Sequence, residues 1–284
     1  CTTVDTSIAA DELFIIQQNL EGQDVQAIGK GVTGAKEVTL SFYVKANAAF
    51  DFVAELQDQD NSRTNGRVFS TTTDWVRHEL TFQADVDDGS SPFDDDNANS
   101  LSLNFWFHAG TTYSGGTLAS SWENATSANR AAGIDSFFSS TDNNFFITGV
   151  QMEVGSVATP FEHRSFGEEL ALCQRYYHHW SAVDGSNTFK PLWVGGLAKS
   201  ATRADFFIPA PVVMRAAPTL TASADLFQIG DGTVGNVTSA MGQAGLTKEG
   251  VVAKATTTGL TVGRCVNIYA DDNNTAYIEF DAEL

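Results

Sequence analysis

The stretch "TLSFYVKA", residues 39–46, alternates apolar and polar residues with a period of two. Successive side chains of a β-strand point to opposite faces, so this pattern predicts a half-buried strand. One face would hold Leu40, Phe42, Val44 and Ala46, and the other would hold Thr39, Ser41, Tyr43 and Lys45. The even-numbered face is the one we expect in a core.

The same alternation recurs along the first part of the chain. It is found in "FDFVAELQ" (50–57) and "LSLNFWFHA" (101–109), and "WVRHELTFQA" (75–84) and "NFFITGVQMEV" (144–154) read as further strands. Turns rich in Gly, Asn and Asp separate them, which predicts a β-sandwich over residues 1–160. The core would add Phe50, Phe52, Ala54, Leu56, Leu101, Leu103, Phe105 and Phe107. Long loops at 84–100 and about 110–144 interrupt the sandwich.

An amphipathic helix follows the sandwich. Ser165 and Glu168 have the spacing of a capping box. Apolar residues then form two adjacent stripes, so the helix is expected to run to Trp180 and to need partners on more than one side. We assign to an oligomer or domain interface Phe166, Leu170, Cys173, Tyr176, Tyr177 and Trp180. The helical pattern predicts a helical linker over residues 161–184. Strand patterns resume after it and predict a smaller C-terminal β domain over residues 185–284.

Composition excludes several classes of function. The formal net charge is −19, so the chain would repel nucleic acid phosphates and anionic membranes. No apolar run is long enough to insert into a membrane. The three cysteines, Cys1, Cys173 and Cys265, have no disulfide or zinc spacing, which indicates assembly in a reducing compartment. Cys173 is expected to be a buried thiol.

Four segments together resemble bacteriophage tail-fibre and related virion structural proteins, especially those of marine phages. They are "VTLSFYVKA", "DWVRHELTF", "FFITGVQMEVGSVATPFEHRSFGEELALCQRYY" and "AYIEFDAEL", of which residues 147–177 are the most specific. The first domain also resembles the jelly rolls of carbohydrate-binding modules. The fold class expected is therefore mainly β, with an N-terminal jelly-roll β-sandwich, a linking α-helix and a smaller C-terminal β domain.

The resemblance implies a tail-fibre or receptor-binding segment of the virion, assembled in the host cytoplasm. Its partners would be its own copies as a homotrimer, other virion tail proteins, and a host surface glycan or receptor. The surplus of apolar surface on the helix also favours a homotrimer. An architectural head-fibre or decoration protein without a ligand is the alternative, and a glycan-degrading tailspike is a further one. The resemblance supplies no catalytic residue, and we expect no enzyme activity.

A glycan site is predicted at the end of "LSLNFWFHA". Trp106 and His108 lie on the face opposite the predicted core, with Ser102 and Asn104 beside them. A displayed aromatic next to hydrogen-bonding side chains suits sugar stacking, and Tyr113 and Trp122 of the following loop would complete the platform. Alternatively, Trp106 packs under that loop or against another subunit. Trp75, which opens a strand, is expected to be structural, as in the resembling jelly rolls.

Two further groups are candidates for metal binding. The acidic loop offers Asp85, Asp87 and Asp88 as calcium ligands, and the resembling jelly rolls often carry a structural calcium. The spacing does not match a twelve-residue calcium loop, so a solvated acidic loop is the alternative, and a glycosidase carboxylate pair is a remote one. His178 and His179 are adjacent, so on a helix they would point about 100° apart and could not chelate one ion. They would complement the helix dipole or pack at an interface.

Overall fold

The computed structural model describes residues 2–86, 91–181, 191–223, 227–230, 235–237, 240–270 and 275–284. Strands make up 46% of the chain and helices 11%, which confirms the mainly β class. The chain divides into two compact units, Cys1–His163 together with Leu284, and Arg164–Glu283. Among the described helices, none is both long and apolar enough to cross a membrane.

The first unit consists of two antiparallel sheets. Its strands are β1 (Leu13–Glu21), β2 (Val38–Ala46), β3 (Asp51–Asp58), β4 (Arg63–Ser70), β5 (Val76–Phe82), β6 (Asn99–Ala109), β7 (Glu123–Asn124) and β8 (Phe145–Val154). One sheet has the order β1-β6-β3-β4-β7 and the other the order β5-β2-β8. Short helical segments are α1 (Gly22–Val25), α2 (Thr111–Ser114), and the 3-10 turns Gln26–Ile28, Ser127–Asn129 and Phe137–Ser139.

The core of the first unit lies between these sheets. Phe42 on β2 is fully buried, and its ring packs edge-on against Phe69 and Phe105 of the other sheet, each with a centroid separation of 5.1 Å. Every residue predicted for the core from β2, β3 and β6 is buried. Burying one such side chain stabilises a fold by roughly 1.5–3 kcal/mol, so this shared core holds the two sheets together as the predicted sandwich.

The second unit is also built from two antiparallel sheets. Its elements are α3 (Phe166–Gln174), β9 (Tyr177–Ser181), β10 (Pro191–Ser200), β11 (Arg203–Pro209), β12 (Thr219–Ala222), β13 (Phe227–Gly230), β14 (Gly235–Val237), β15 (Ala240–Thr247), β16 (Gly250–Thr256), β17 (Cys265–Ala270) and β18 (Tyr277–Asp281). The sheet orders are β14-β13-β17-β10-β11-β16-β15 and β12-β18-β9. Phe206, Ile268 and Phe280 belong to one buried cluster that joins them.

The helix is shorter than its sequence pattern predicts. It begins at the predicted capping box, in which Ser165 accepts a hydrogen bond from the Glu168 backbone and Glu168 accepts one from the Ser165 backbone. It ends at Gln174, and Tyr177–Ser181 forms β9, paired with β18. Aromatic residues favour strands, and cross-strand pairing here outweighs the helical spacing. The prediction of a helical linker through residue 184 was therefore wrong for residues 177–181, and α3 and β9 belong to the second unit.

Candidate functional site

Trp106 does not form a displayed sugar platform. Its side chain is 1% exposed, and its Nε1 donates a hydrogen bond of 2.9 Å to Glu55 Oε2. The Arg130 guanidinium lies 4.8 Å from the centre of its ring, and the Tyr113 ring lies at 5.5 Å. Of the two predicted placements, the one beneath the long loop is confirmed, because residues of that loop cover the indole.

Glu55 holds this arrangement together. The carboxylate is 1% exposed and accepts hydrogen bonds from Arg130 Nε at 2.9 Å, Arg130 Nη2 at 2.7 Å and Asn104 Nδ2 at 3.0 Å, besides the Trp106 indole. A buried carboxylate is tolerated only when it is paired and hydrogen-bonded, and four donors meet that condition. The cluster fastens the 110–144 loop onto the outer face of the five-stranded sheet.

The other predicted glycan-binding residues are also engaged internally. His108 is 2% exposed, and its Nδ1 lies 2.8 Å from Ser136 Oγ. Trp122 packs against the core of the first unit and donates its Nε1 hydrogen to the Gln83 carbonyl at 2.8 Å. The assignment of Trp106, His108, Tyr113 and Trp122 to one displayed site is corrected, since packing and hydrogen bonds within the unit occupy them.

Asp85 is not positioned as a calcium ligand. It is buried, and its oxygens bind Arg63 Nε at 2.9 Å and Nη2 at 3.1 Å, with Lys30 Nζ at 3.7 Å. The Lys30 ammonium itself lies 2.5 Å from Asp58 and 3.1 Å from the Ser91 carbonyl. Arg63 and Lys30 therefore supply, at Asp85, the positive charge that we expected from a calcium ion. Asp87 and Asp88 lie outside the described residues.

The two adjacent histidines lie on strand β9, so the interpretation that they complement a helix dipole was wrong. Because consecutive residues of a strand face opposite ways, they do not share a ligand. His178 packs edge-on against Phe280 at 6.2 Å, and burial lowers its pKa, with a smaller contribution from His179. His179 lies between Tyr177 and Tyr277, with Nε2 3.8 Å from Glu279.

The predicted interface residues divide into two groups. Phe166 and Leu170 on α3 are 82% and 42% exposed, and Cys173 is exposed, contrary to the expected buried thiol. Trp180 packs against the buried cluster of the second unit, and the Tyr177 hydroxyl donates to Glu279 at 2.8 Å. Tyr176 is half-buried. The α3 residues thus present exposed apolar surface to a partner, and Tyr177 on β9 is 37% exposed.

A different surface of the first unit displays aromatic side chains. It lies on the outer face of the β5-β2-β8 sheet and is formed by Tyr43, Lys45, Trp75, Arg77 and Phe146, which we term the aromatic face. In the register, Lys45 is opposite Phe146 and Tyr43 is opposite Arg77. Trp75 directly precedes β5, beside Lys45. Trp75 is 46% exposed, Phe146 48% and Tyr43 38%.

The two cationic side chains of the aromatic face, Lys45 and Arg77, differ in their partners. Lys45 Nζ lies 5.2 Å from the centre of the Trp75 ring and 5.0 Å from that of Phe146, a cation–π arrangement on both sides. Arg77 is paired with Glu79 at 2.5 Å and donates to the Thr159 carbonyl at 2.7 Å. In the described part of the chain, no carboxylate forms an ion pair with Lys45. The face therefore combines exposed rings with one ammonium that retains hydrogens for a ligand.

The aromatic face was not predicted from the sequence, because it depends on the pairing of distant strands. The alternation in β2 correctly placed Tyr43 and Lys45 opposite the core. Trp75 was expected to be structural, yet it is nearly half exposed. What brings Trp75 and Phe146 to Lys45 is the register of three strands distant in sequence, which the pattern within any one strand does not specify.

Comparison with known proteins gives no family for this chain and a weak structural similarity. No family model matches the chain, and no curated protein matches it. Among solved structures, it is similar to the N-terminal CBM22-1-CBM22-2 tandem domain of Xyn10C from Paenibacillus barcinonensis. The match covers 94% of this chain and 83% of that one, with 11% identity and a TM-score of 0.22. A similarity this low carries no weight for the ligand.

Proposed function

We propose that this chain is a phage virion structural protein of the tail-fibre type, whose first unit attaches to a glycan on the host surface through the aromatic face. The observation that carries the attachment role is the cross-strand row of Trp75, Lys45 and Phe146, in which both aromatic rings are exposed. The tail-fibre assignment rests on the resemblance of the four sequence segments.

The chemistry of the row suits a sugar. A pyranose ring has an apolar C–H face that packs on an aromatic ring, and hydroxyl groups at its edge that need hydrogen bonds. Trp75 and Phe146 supply flat, rigid apolar surface at a low cost in side-chain entropy. Lys45 donates three hydrogens to oxygens at the edge of the sugar. A sheet holds these groups at fixed spacing, so little ordering is needed on binding.

Adhesion by such a face would depend on repeated contact. A shallow surface of this size binds a single glycan weakly, and an oligomer multiplies the contact by effective concentration. The exposed apolar residues Phe166 and Leu170 of α3 provide surface for association of copies. In this proposal the partners are the chain's own copies as a homotrimer, other tail proteins and the host glycan.

Glycan arrays test the attachment role. We expect the wild-type protein to bind at least one host glycan, and Trp75→Ala and Phe146→Ala each to lower that signal at least tenfold, because each removes one stacking surface. Phe207→Ala is the matched control, since Phe207 is 51% exposed on β11 of the second unit and should leave binding unchanged. Equal binding by all four proteins, or none by the wild type, would count against the proposal.

Light scattering tests the oligomer. We expect the mass of a trimer at micromolar concentration, and dissociation when Phe166 and Leu170 are both replaced by serine, because their exposed side chains would form the contact. The control is Val262→Ser, which removes another exposed apolar side chain, 63% exposed and located between β16 and β17. A monomer mass for the wild type would contradict the trimer.

The second candidate function is an architectural fibre or decoration protein without a ligand. The exposed apolar side chains of α3 favour it, because association alone would explain them. A trimer that binds no glycan would support this role over adhesion. The third candidate, a glycan-degrading enzyme, predicts a fall in the size of host polysaccharide on incubation, and unchanged size would dispose of it.

A further inference from the structure

We propose that Asp5, Glu12 and His108 bind one divalent first-row transition metal ion, and that this ion fastens the N-terminal segment to the sandwich. Zinc is the ion with which we would test the site. One ligand atom from each residue lies within 4.8 Å of the other two. Asp5 lies in the irregular segment that precedes β1, Glu12 is next to β1, and His108 is on β6. The proposal is independent of glycan binding.

His108 provides the observation that points to a ligand. The ring is buried, and its Nδ1 is fixed by Ser136 Oγ at 2.8 Å and its face by the edge-on Phe138 ring at 5.1 Å. Its Nε2 is aimed at Glu12 Oε2, but at 3.9 Å, which is too long for a hydrogen bond. The Nε2 of this buried ring thus faces the Glu12 carboxylate beyond hydrogen-bond distance, and Asp5 completes the group of three ligand residues. Metal-bound histidines are oriented in this way by a hydrogen bond at the other nitrogen.

The two carboxylates are partly preorganised. Asp5 Oδ1 accepts the Ser7 backbone hydrogen at 3.0 Å, and Glu12 Oε2 accepts that of Ala9 at 2.7 Å. The Asp5 backbone itself donates to the Phe138 carbonyl at 2.9 Å. No lysine or arginine of the described ranges pairs with either carboxylate. Their negative charge is therefore available to a cation.

The donor set selects the class of metal. One imidazole nitrogen and two carboxylate oxygens, with water in the fourth position, suit tetrahedral zinc. Ligand atoms on one such ion lie roughly 3.3 Å apart, so the three groups must approach by about 1 Å on binding. The irregular segment that carries Asp5 can accommodate this shift. Calcium takes six to eight oxygen ligands, so it should bind this set poorly.

Calorimetric titration of the full chain with zinc chloride tests the site. We expect one zinc per chain for the wild type, and affinity at least tenfold weaker for Glu12→Gln and for Asp5→Asn, which keep side-chain size. Both residues are partly exposed, so these variants should fold, unlike a change at buried His108. His163→Gln removes an exposed histidine elsewhere and is the control, expected to bind as the wild type does.

Amide hydrogen exchange distinguishes zinc bound at this site from zinc bound non-specifically at the surface. Zinc should slow exchange of the backbone hydrogens in residues 5–12 of the wild type and have no such effect in Glu12→Gln. The proposal is overturned if the wild type binds no zinc, or if both carboxylate variants bind zinc as tightly as the wild type does. It is also overturned if zinc binding leaves amide exchange in residues 5–12 unchanged.

Discussion

Replacement of Glu55 by alanine should lower the free energy of unfolding of the first unit by about 3–5 kcal/mol. The carboxylate is 1% exposed and is the acceptor for Arg130, Trp106 and Asn104. Its removal leaves the largely buried Arg130 guanidinium without its counter-charge and the Trp106 indole N–H without a partner. Leaving buried groups unpaired is costly, and the loss adds to that of the loop's attachment. Urea unfolding followed by tryptophan fluorescence measures the effect.

Glu79→Ala is the matched control for Glu55→Ala. Glu79 also pairs with an arginine, Arg77, but its side chain is 49% exposed. Exposed ion pairs contribute roughly 0–1 kcal/mol, so this variant should stay within that range. The double variant Glu55→Ala with Arg130→Ala should lose less than the sum of the two single losses, because neither charge is then left alone. Equal, small losses for Glu55→Ala and Glu79→Ala would show that the buried cluster does not hold the loop.

Replacement of Lys30 by alanine should cost a similar amount, about 3–5 kcal/mol. The Lys30 side chain is 1% exposed and lies against Asp58, which is fully buried, and Asp85. Asp85 retains Arg63, whereas Asp58 retains only the amide of Asn61 among its described side-chain partners. Lys36→Ala, at an exposed lysine nearby, should change the unfolding free energy by no more than about 0.5 kcal/mol.

The effect of calcium on the stability of Lys30→Ala is a second test of the Lys30 prediction. Without the ammonium, the oxygens of Asp58, Asp85 and the Ser91 carbonyl remain around the vacated position. Millimolar calcium should therefore recover part of the lost stability in Lys30→Ala and leave the wild type unchanged. Stabilisation of the wild type by calcium would show that Lys30 and Arg63 do not exclude calcium from Asp85.

The core was predictable from sequence, and the buried polar clusters were not. Alternation within β2, β3 and β6 is a local signal, so it correctly predicted which side chains lie between the sheets. The ion cluster of Lys30, Asp58 and Asp85 joins residues 27 to 55 positions apart in the sequence, and only the folded loops bring them together. The same holds for the contact of Arg130 with Glu55, which covers Trp106.

The segment after the helix shows how tertiary contacts override a local pattern. Helical spacing of apolar residues continued to Trp180, yet Trp180 pairs with Ile278 in a sheet. Nothing within residues 165–180 reveals that partner strand nearly a hundred residues later. The same limit applies to the site, since the pattern placed Lys45 off the core but could not place Trp75 and Phe146 beside it.

The indole N–H signals of Trp75 and Trp106 distinguish glycan binding at the aromatic face from binding near Trp106. The protein would be titrated with the glycan that gives the strongest array signal, and the two indole resonances followed by NMR. We predict that the Trp75 signal shifts and saturates, because the glycan stacks on its exposed ring, while the Trp106 signal, held by Glu55 beneath Arg130, stays unchanged. A shift of Trp106 without one of Trp75 would contradict glycan binding at the aromatic face.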